Sequence, residues 1–208
     1  WMRGLARGSS SQALDSISQG LDALAAFNGL MHENMTRNHG WALLDTGRRI
    51  ERAYNLAEAM HAAFRAHADP EDEYGALLLI LESADSYITY RSRYRLDPML
   101  ALVLDLLVLD ETNPRSLGFQ LAATTEHLAI LPDAMEGSSL TGARRQALAL
   151  QTAVQLCDVD ALAKGADHAE LNALLRQMKV GLPQLSDAIA RQYFNLTAER
   201  MHASTMQL

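Results

Sequence analysis

Apolar residues recur at spacings of three and four along most of this chain, which is typical of α-helices with one buried face. The first such stripe passes through Ile17, Leu21, Leu24, Phe27 (or Asn28) and Met31. The preceding Ser9–Ser11 offers side-chain oxygens that can cap a helix start. No two segments carry the turn signals of a β-hairpin. The N-terminal stretch is therefore predicted to form one long helix.

A second helix is predicted to begin at Asn38, as its N-cap, and to end before Asp69 and Pro70. Its apolar stripe includes Gly47, which we interpret as a place where a neighbouring helix approaches closely. The predicted core-facing stripe consists of Leu43, Gly47, Ile50, Tyr54, Ala57, His61 and Phe64.

Asp-Pro and Asn-Pro pairs mark the starts of the next three predicted helices, because Asp and Asn cap helices and proline fits the first helical position. These helices are Pro70–Tyr90, Pro98–Leu109 and Pro114–Leu131. Two more are predicted at about Leu140–Val159 and from Asp167 towards Ala203, the last with a kink at Gly181–Pro183. The connections are short and no shift in composition marks a boundary. The sequence thus predicts an all-α protein, a single domain over residues 1–208, folded as one antiparallel bundle of about seven helices.

The second predicted helix also carries a charged stripe opposite its apolar one. Successive helical residues rotate by about 100°, so one side collects Trp41, Asp45, Arg48 and Arg52. A Trp ring is rarely left fully in water, so this side is expected to be covered as well. The third predicted helix presents Glu82 and Asp85 on its polar side.

Three interpretations of these charges are open. In the favoured one, a buried ion-pair lattice fixes the helices, and Arg48 and Arg52 are occupied by Asp85, Glu82 and Asp105. In the second, some arginines keep donors free for a carboxylate or phosphate, which a guanidinium binds bidentately. The third is a solvated surface. The candidate binding site of the second interpretation consists of Trp41, Asp45, Arg48, Arg52, Glu82, Asp85 and Arg115.

Composition narrows the classes of function. The net charge is −7, which argues against a general nucleic-acid binder. The single cysteine, Cys157, excludes an intrachain disulfide and fits a reducing cytoplasm. The most apolar run, Met99–Leu109, is too short to span a bilayer and contains Asp105, so no membrane association is predicted. The chain opens on Trp1 rather than Met, which predicts a fragment of a longer protein.

Metal and nucleophile motifs are weak. Two Glu-x-x-His pairs have the spacing of ligands in helical di-metal sites, which makes Glu58, His61, Glu199 and His202 a weak alternative metal set. His202 lies close to the chain end, a poor position for a rigid ligand. Phosphate-binding glycine loops and serine nucleophile motifs are absent from the sequence. We therefore predict no cofactor and no metal.

Four stretches together resemble one family. They are ENMTRNHGWALLDTGRRIERA at 33–53, ILESADSYITYRSRY at 80–94, LDLLVLDETNPRSLGFQL at 104–121 and AIARQYF at 188–194. In order and spacing they are similar to the bacterial Alpha-E domain family, an all-helical family without an established biochemical activity. The family's opening helix, of the type Tyr-Trp-x-Gly-Arg-Tyr-x-Glu-Arg-Ala, has no counterpart here. Only the second Gly-Arg-x-x-Glu-Arg-Ala, Gly47–Ala53, is present, and the missing helices would leave apolar surface that favours a homodimer.

The resemblance implies partners. Alpha-E domains occur alone or fused to a circularly permuted ATP-grasp ligase, and they accompany transglutaminase-like proteases. The expected function is a non-catalytic helical partner or scaffold in peptide synthesis or modification. The alternative is a domain that binds an anionic small molecule or peptide carboxylate, or is itself an enzyme, through the arginine and carboxylate cluster.

Overall fold

A computed structural model describes residues 10–66, 72–132, 142–164 and 168–194 of the protein. Every regular element in these ranges is helical, which confirms the all-α class. The helices are α1 Ser10–Asn34, α2 His39–Ala66, α3 Glu73–Ser83, α4 Tyr87–Tyr94, α5 Leu100–Leu104, α6 Leu117–Ala129, α7 Gly142–Gln155, α8 Val159–Leu162 and α9 Ala169–Tyr193. A π-helical turn, Asp105–Leu109, continues α5. The described residues fall into two compact units, divided between Trp41 and Ala42.

The N-terminal unit consists of α1 and the first turn of α2. The predicted N-cap at Asn38 is confirmed, since its Oδ1 accepts the Trp41 backbone N–H at 3.2 Å. The Arg37 guanidinium stacks over the Trp41 ring, 4.4 Å from its centroid. Six large apolar side chains of α1 are between 54% and 67% exposed: Leu14, Ile17, Leu21, Leu24, Phe27 and Leu30.

The second unit is a helical bundle with a continuous apolar core. α7 packs between α6 and α9, the π-helical turn packs on α6 and α7, and α8 packs on α5 and α9. The core is aliphatic, which suits packing between helices. Its largest fully buried side chains include Met60, Leu81, Tyr90, Leu107, Leu121, Leu128 and Leu171.

The described residues form nine α-helices where the sequence predicted about seven, because two predicted helices each divide in two. The predicted Pro70–Tyr90 helix is wrong, since α3 ends at Ser83 and α4 begins at Tyr87. The predicted Leu140–Val159 helix also ends early, at Gln155, before the separate α8. Asp69, Pro70, Leu140 and Asp167 lie outside the described residues.

The proline-marked starts are displaced towards the C-terminus. α5 begins at Leu100 rather than Pro98, and α6 begins at Leu117 rather than Pro114. The cap of α6 is Ser116, whose Oγ accepts the Phe119 N–H at 3.0 Å. Asn113, the expected cap, instead donates its side-chain amide to the Leu106 carbonyl at 3.0 Å and ties the loop to the π-helical turn. In α9 the helix continues through Pro183.

The buried face of α2 differs from the predicted stripe. Ile50, Ala57 and Phe64 are buried as expected, but Gly47 is exposed. A Cβ placed on Gly47 would meet no atom within 4 Å, so the interpretation of a close helix approach there is wrong. The face is rotated towards Ala42, Asp45, Thr46, Ala53, Leu56 and Met60, which are all buried.

Asp45 is the charged residue on this buried face, and its side chain is 1% exposed. Its carboxylate accepts from Arg48 Nε at 3.1 Å and from Arg49 Nε at 2.9 Å, both on the same helix. His127 Nε2 on α6 lies 2.7 Å from Asp45 Oδ2 and donates to it, because an ionised carboxylate only accepts. Burial alone would raise the pKa of Asp45, but the hydrogen bonds from His127, Arg48 and Arg49 outweigh it and hold the pKa well below its ordinary value. This cluster joins α2 to α6 inside the bundle.

Replacing Asp45 by Asn tests the cluster. We expect Asp45→Asn to lower the free energy of unfolding by about 3 kcal/mol at neutral pH, because two partly buried guanidinium groups lose their counter-ion. Urea denaturation measures the difference, and Glu82→Gln, at an exposed carboxylate, is the control.

The pH dependence follows from the lowered pKa of Asp45. A carboxylate with a lowered folded-state pKa contributes fully above its unfolded-state pKa of about 4, and the contribution is lost as pH falls through the folded-state pKa. The difference between wild type and Asp45→Asn should therefore be constant above about pH 5 and shrink below about pH 4. A difference that grows on acidification would contradict this account.

Two glycines make a matched pair for testing helix packing. A Cβ on Gly118 would lie 2.7 Å from the Leu109 carbonyl oxygen, where α6 presses on the π-helical turn, whereas a Cβ on Gly47 meets open space. We expect Gly118→Ala to destabilise the protein by about 1–3 kcal/mol through overpacking. Gly47→Ala should stabilise it by about 1 kcal/mol through helix propensity. Thermal unfolding of both variants measures the contrast, and equal effects would show that the close approach at Gly118 is not a constraint.

Candidate functional site

A cleft of about 320 Å³ opens in the second unit, beside the C-terminal half of α2. Its walls come from three separate parts of the chain: α2, the end of α3, and the segment that leads into α6. Most of the lining side chains are small or uncharged, and two of them are arginines. The lining residues are Arg52, Asn55, Leu56, Ala59, Ser83, Ala84, Pro114, Arg115 and Gln120.

Arg52 is the arginine of the α2 wall. Its side chain is exposed at the cleft, and within the described ranges it makes no hydrogen bond or ion pair. Partial desolvation and the positive charges of Arg48, Arg49 and Arg115 lower the pKa of Arg52 from its ordinary value, opposed mainly by Asp45. Arg52 thus lies in a positive field that the neighbouring protein groups leave uncompensated.

Arg115 is the arginine of the opposite wall. Its Nη2 donates to Asp85 Oδ2 at 2.8 Å, across the loop between α3 and α4. This pair is solvent-accessible, since the two side chains are 44% and 81% exposed. Exposed ion pairs are weak, so Asp85 neutralises Arg115 without fixing it strongly.

The other two arginines are fixed in the structure. Arg48 and Arg49 share the buried Asp45 carboxylate, and Arg49 also approaches Gln120 Oε1 at 3.4 Å and the Phe119 ring at 5.1 Å. Among the described residues, three of the four guanidinium groups pair with two carboxylates, Asp45 and Asp85, so the surroundings of Arg52 are positively charged.

The uncharged polar side chains of the cleft also fall into two groups: some are bonded to the protein backbone, and one makes no hydrogen bond among the described residues. Gln120 donates its amide to the Pro114 carbonyl at 2.5 Å, and Ser83 donates its hydroxyl to the Ile80 carbonyl at 3.0 Å. Asn55 lies one helical turn after Arg52, on the same side of α2, and within the described residues its amide makes no hydrogen bond. Arg52 and Asn55 are thus the donors of the α2 wall that remain available to a ligand.

Three of the seven predicted site residues meet at the cleft: Arg52 and Arg115 line it, and Asp85 holds Arg115. Asp45 and Arg48 belong to the buried cluster instead. Glu82 is exposed and forms no ion pair in the described part of the chain. Trp41 belongs to the N-terminal unit.

The favoured ion-pair lattice is wrong in its partners. Asp85 pairs with Arg115 rather than with Arg48 or Arg52. Asp105 is partly exposed, accepts from the Tyr94 hydroxyl at 2.5 Å and lies 3.8 Å from Arg93. The pattern did not reveal that Asp45 faces the core, because the predicted apolar stripe was centred about a quarter of a turn away from the buried face.

Sequence reasoning missed three residues that shape this region: Asn55, Gln120 and His127. Asn55 carries a usable signal, since it follows Arg52 by three positions on a helix. Gln120 and His127 are seven residues apart on α6, and so share a face, but nothing in the sequence assigns that face to α2.

The described pair of the alternative metal set, Glu58 and His61, binds a lysine in the structure. Lys179 Nζ lies 2.7 Å from Glu58 Oε2 and 3.2 Å from His61 Nδ1, so an ammonium group stands between the two proposed ligands. Within the described residues no three His, Cys, Asp or Glu side chains come together as metal ligands. Glu199 and His202 lie outside the described residues. None of the described helices is both long enough and apolar enough to cross a membrane.

Three curated relatives are similar to part of this chain. An uncharacterized protein of Mycobacterium bovis and uncharacterized proteins from two strains of Mycobacterium tuberculosis are each 32% identical to this chain over 119 residues. The match covers 57% of this chain and 13% of each relative. No solved structure matches.

The Alpha-E family model matches residues 2–194, and it is described as a predicted alpha-helical domain with a conserved ER motif. Inside the matched range the chain has one Glu-Arg pair, Glu51–Arg52, and its arginine is the uncompensated one that lines the cleft. This chain belongs to the Alpha-E family.

Proposed function

We propose that this domain binds an anionic group, the carboxylate or phosphate of a small molecule or peptide, in the cleft between Arg52 and Arg115. The observation that carries the proposal is the position of Arg52 at the cleft, in positively charged surroundings and without a protein counter-ion among the described residues.

The chemistry of the cleft supports an anion rather than an apolar ligand. A guanidinium offers two parallel N–H donors that match the oxygens of a carboxylate or phosphate. Asn55 adds an amide that can donate to or accept from a neighbouring polar group of the ligand. Leu56, Ala59 and Ala84 supply a small apolar floor. The volume of about 320 Å³ lies at the low end for ligand pockets.

The binding test uses two probes, inorganic phosphate and an N-acetylated dipeptide with a free C-terminal carboxylate. We expect calorimetric titration to detect binding of at least one probe, and Arg52→Gln to weaken it about tenfold or more, since a charge-assisted hydrogen bond contributes about 1.5–3 kcal/mol. Arg176→Gln, at an exposed arginine of α9 outside the cleft, is the matched control and should bind as wild type does.

Added salt should weaken binding, because the interaction is between charges at an accessible site. Wild-type protein that binds neither probe, or an Arg52→Gln variant that binds as well as Arg176→Gln, would remove the proposal.

A second candidate function is a helical partner of a circularly permuted ATP-grasp ligase, in peptide synthesis or modification and with a transglutaminase-like protease in the same system. The observation that favours it is the apolar side of α1, where six large side chains are more than half exposed along one helix. Such a stripe fits the apolar face of a partner helix. The relatives are far longer than the matched segment, which covers 13% of each, so in them the segment is joined to much additional sequence. This candidate places the chain in the cytoplasm, where the free Cys157 thiol is stable.

Charge substitutions on α1 test the second candidate. We expect the double variant Leu21→Glu and Leu24→Glu to abolish copurification of the chain with its ATP-grasp partner, because each new carboxylate would be buried unpaired in the interface. Asp15→Asn with Asp22→Asn, on the polar side of the same helix, is the control and should copurify normally. Light scattering of the isolated chain distinguishes a homodimer, in which a second copy covers the stripe. A leucine variant that copurifies as well as the control would exclude α1 as the docking surface.

A further inference from the structure

We propose that Asp85 is a built-in competitor for the ligand: its carboxylate occupies Arg115 while the cleft is empty and is displaced when an anion binds. This inference rests on the proposed anion-binding function and names how the site is regulated. It assigns the incoming group to the same chemical class as the side chain that it replaces, a carboxylate or a similarly sized oxyanion.

The backbone at Asp85 is the first argument. α3 ends in a Schellman motif, in which the Ser86 N–H bonds to the Leu81 carbonyl at 2.8 Å and the Asp85 N–H bonds to the Glu82 carbonyl at 3.0 Å. This motif places Asp85 in the left-handed conformation, with φ of 50°. Glycine is the usual residue there because a Cβ is unfavourable in that conformation. The turn itself would therefore form more easily with glycine.

The side chain of Asp85 is the second argument. It is 81% exposed, and within the described residues its one side-chain hydrogen bond is the ion pair with Arg115. The aspartate thus adds little to packing, and it costs backbone strain. We therefore infer that the role of Asp85 is to hold the Arg115 guanidinium at the mouth of the cleft.

The two carboxylates near the cleft differ in how easily a ligand can displace them. Asp45 is buried and is bound by groups on two helices, so Arg48 and Arg49 stay with it. Asp85 and Arg115 are both exposed, and an exposed pair contributes little. A ligand therefore finds Arg52 without an ion-pair partner among the described residues. It also finds Arg115 in an exposed ion pair that is easily exchanged. Exchange at Arg115 completes a two-arginine site at a small cost in affinity.

Substitutions at Asp85 test the exchange. We expect Asp85→Asn and Asp85→Gly to tighten binding of inorganic phosphate or the acetylated dipeptide by about two- to sixfold, the loss of competition from one exposed ion pair. The gain should disappear in an Arg115→Ala background, because the aspartate then has no guanidinium to withhold. Asp97→Asn is the matched control, since the Arg91–Asp97 pair is equally accessible, at 44% and 85% exposed, and does not line the cleft.

Thermal unfolding separates this role from a structural one. Asp85→Gly relieves the left-handed conformation, so its Tm should be equal to wild type or higher by up to about 2 °C. A lowered Tm with unchanged affinity would mean that the pair with Arg115 only stabilises the fold and would overturn the inference. A gain in affinity that persists without Arg115 would also overturn it, since that result needs only the removal of a nearby negative charge.

The same titrations distinguish failure of the inference from failure of the proposed function. Binding that depends on Arg52 but not on Asp85 rejects the competitor and leaves the anion site intact. Absence of binding in wild type and in every Asp85 variant rejects both.

Discussion

The buried carboxylate of Asp45 is the interaction on which the arrangement of this region depends. A single negative charge in the core is costly unless it is fully hydrogen-bonded, and here Arg48, Arg49 and His127 supply the donors. Because His127 comes from α6 and the arginines from α2, satisfying Asp45 fixes the two helices in one register. The same register brings Arg115 and Gln120, at the start of α6, beside Arg52 and Asn55 of α2. The cleft is thus a consequence of how one buried charge is neutralised.

The arginines of α2 divide their roles according to helix geometry. Arg48 and Arg49 lie three and four positions after Asp45, within reach of its carboxylate. Arg52 lies seven positions after it, two turns away, beyond direct contact but still inside its field. A run of three arginines in five residues therefore contains two structural cations and one that faces solvent. The solvent-facing one, Arg52, is the arginine of the Glu-Arg pair Glu51–Arg52.

The sequence was sufficient for the fold class because its apolar spacing is helical throughout, and capping at Asn38 placed the start of α2 correctly. It was insufficient where a helix ends without glycine or proline. The break after α3 rests on Asp85 in a conformation that glycine normally occupies, so no residue type announced it. Nor did any residue pattern indicate the π-helical turn at Asp105–Leu109, whose Leu109 carbonyl lies close to Gly118 of α6 in the folded protein. The rotation of the α2 face was missed because a buried aspartate looks polar in any pattern of hydrophobicity.

The cleft is built from residues 52–59, 83–84 and 114–120, which adjoin one another only in the folded bundle. An unfolded chain cannot assemble that surface, so a molecule that occupies it binds the native state alone. By mass action, such a molecule raises the unfolding free energy in proportion to the logarithm of its concentration over its dissociation constant. Heat resistance of the whole bundle is therefore a readout of cleft occupancy, and it can rank candidate anions before any activity is known.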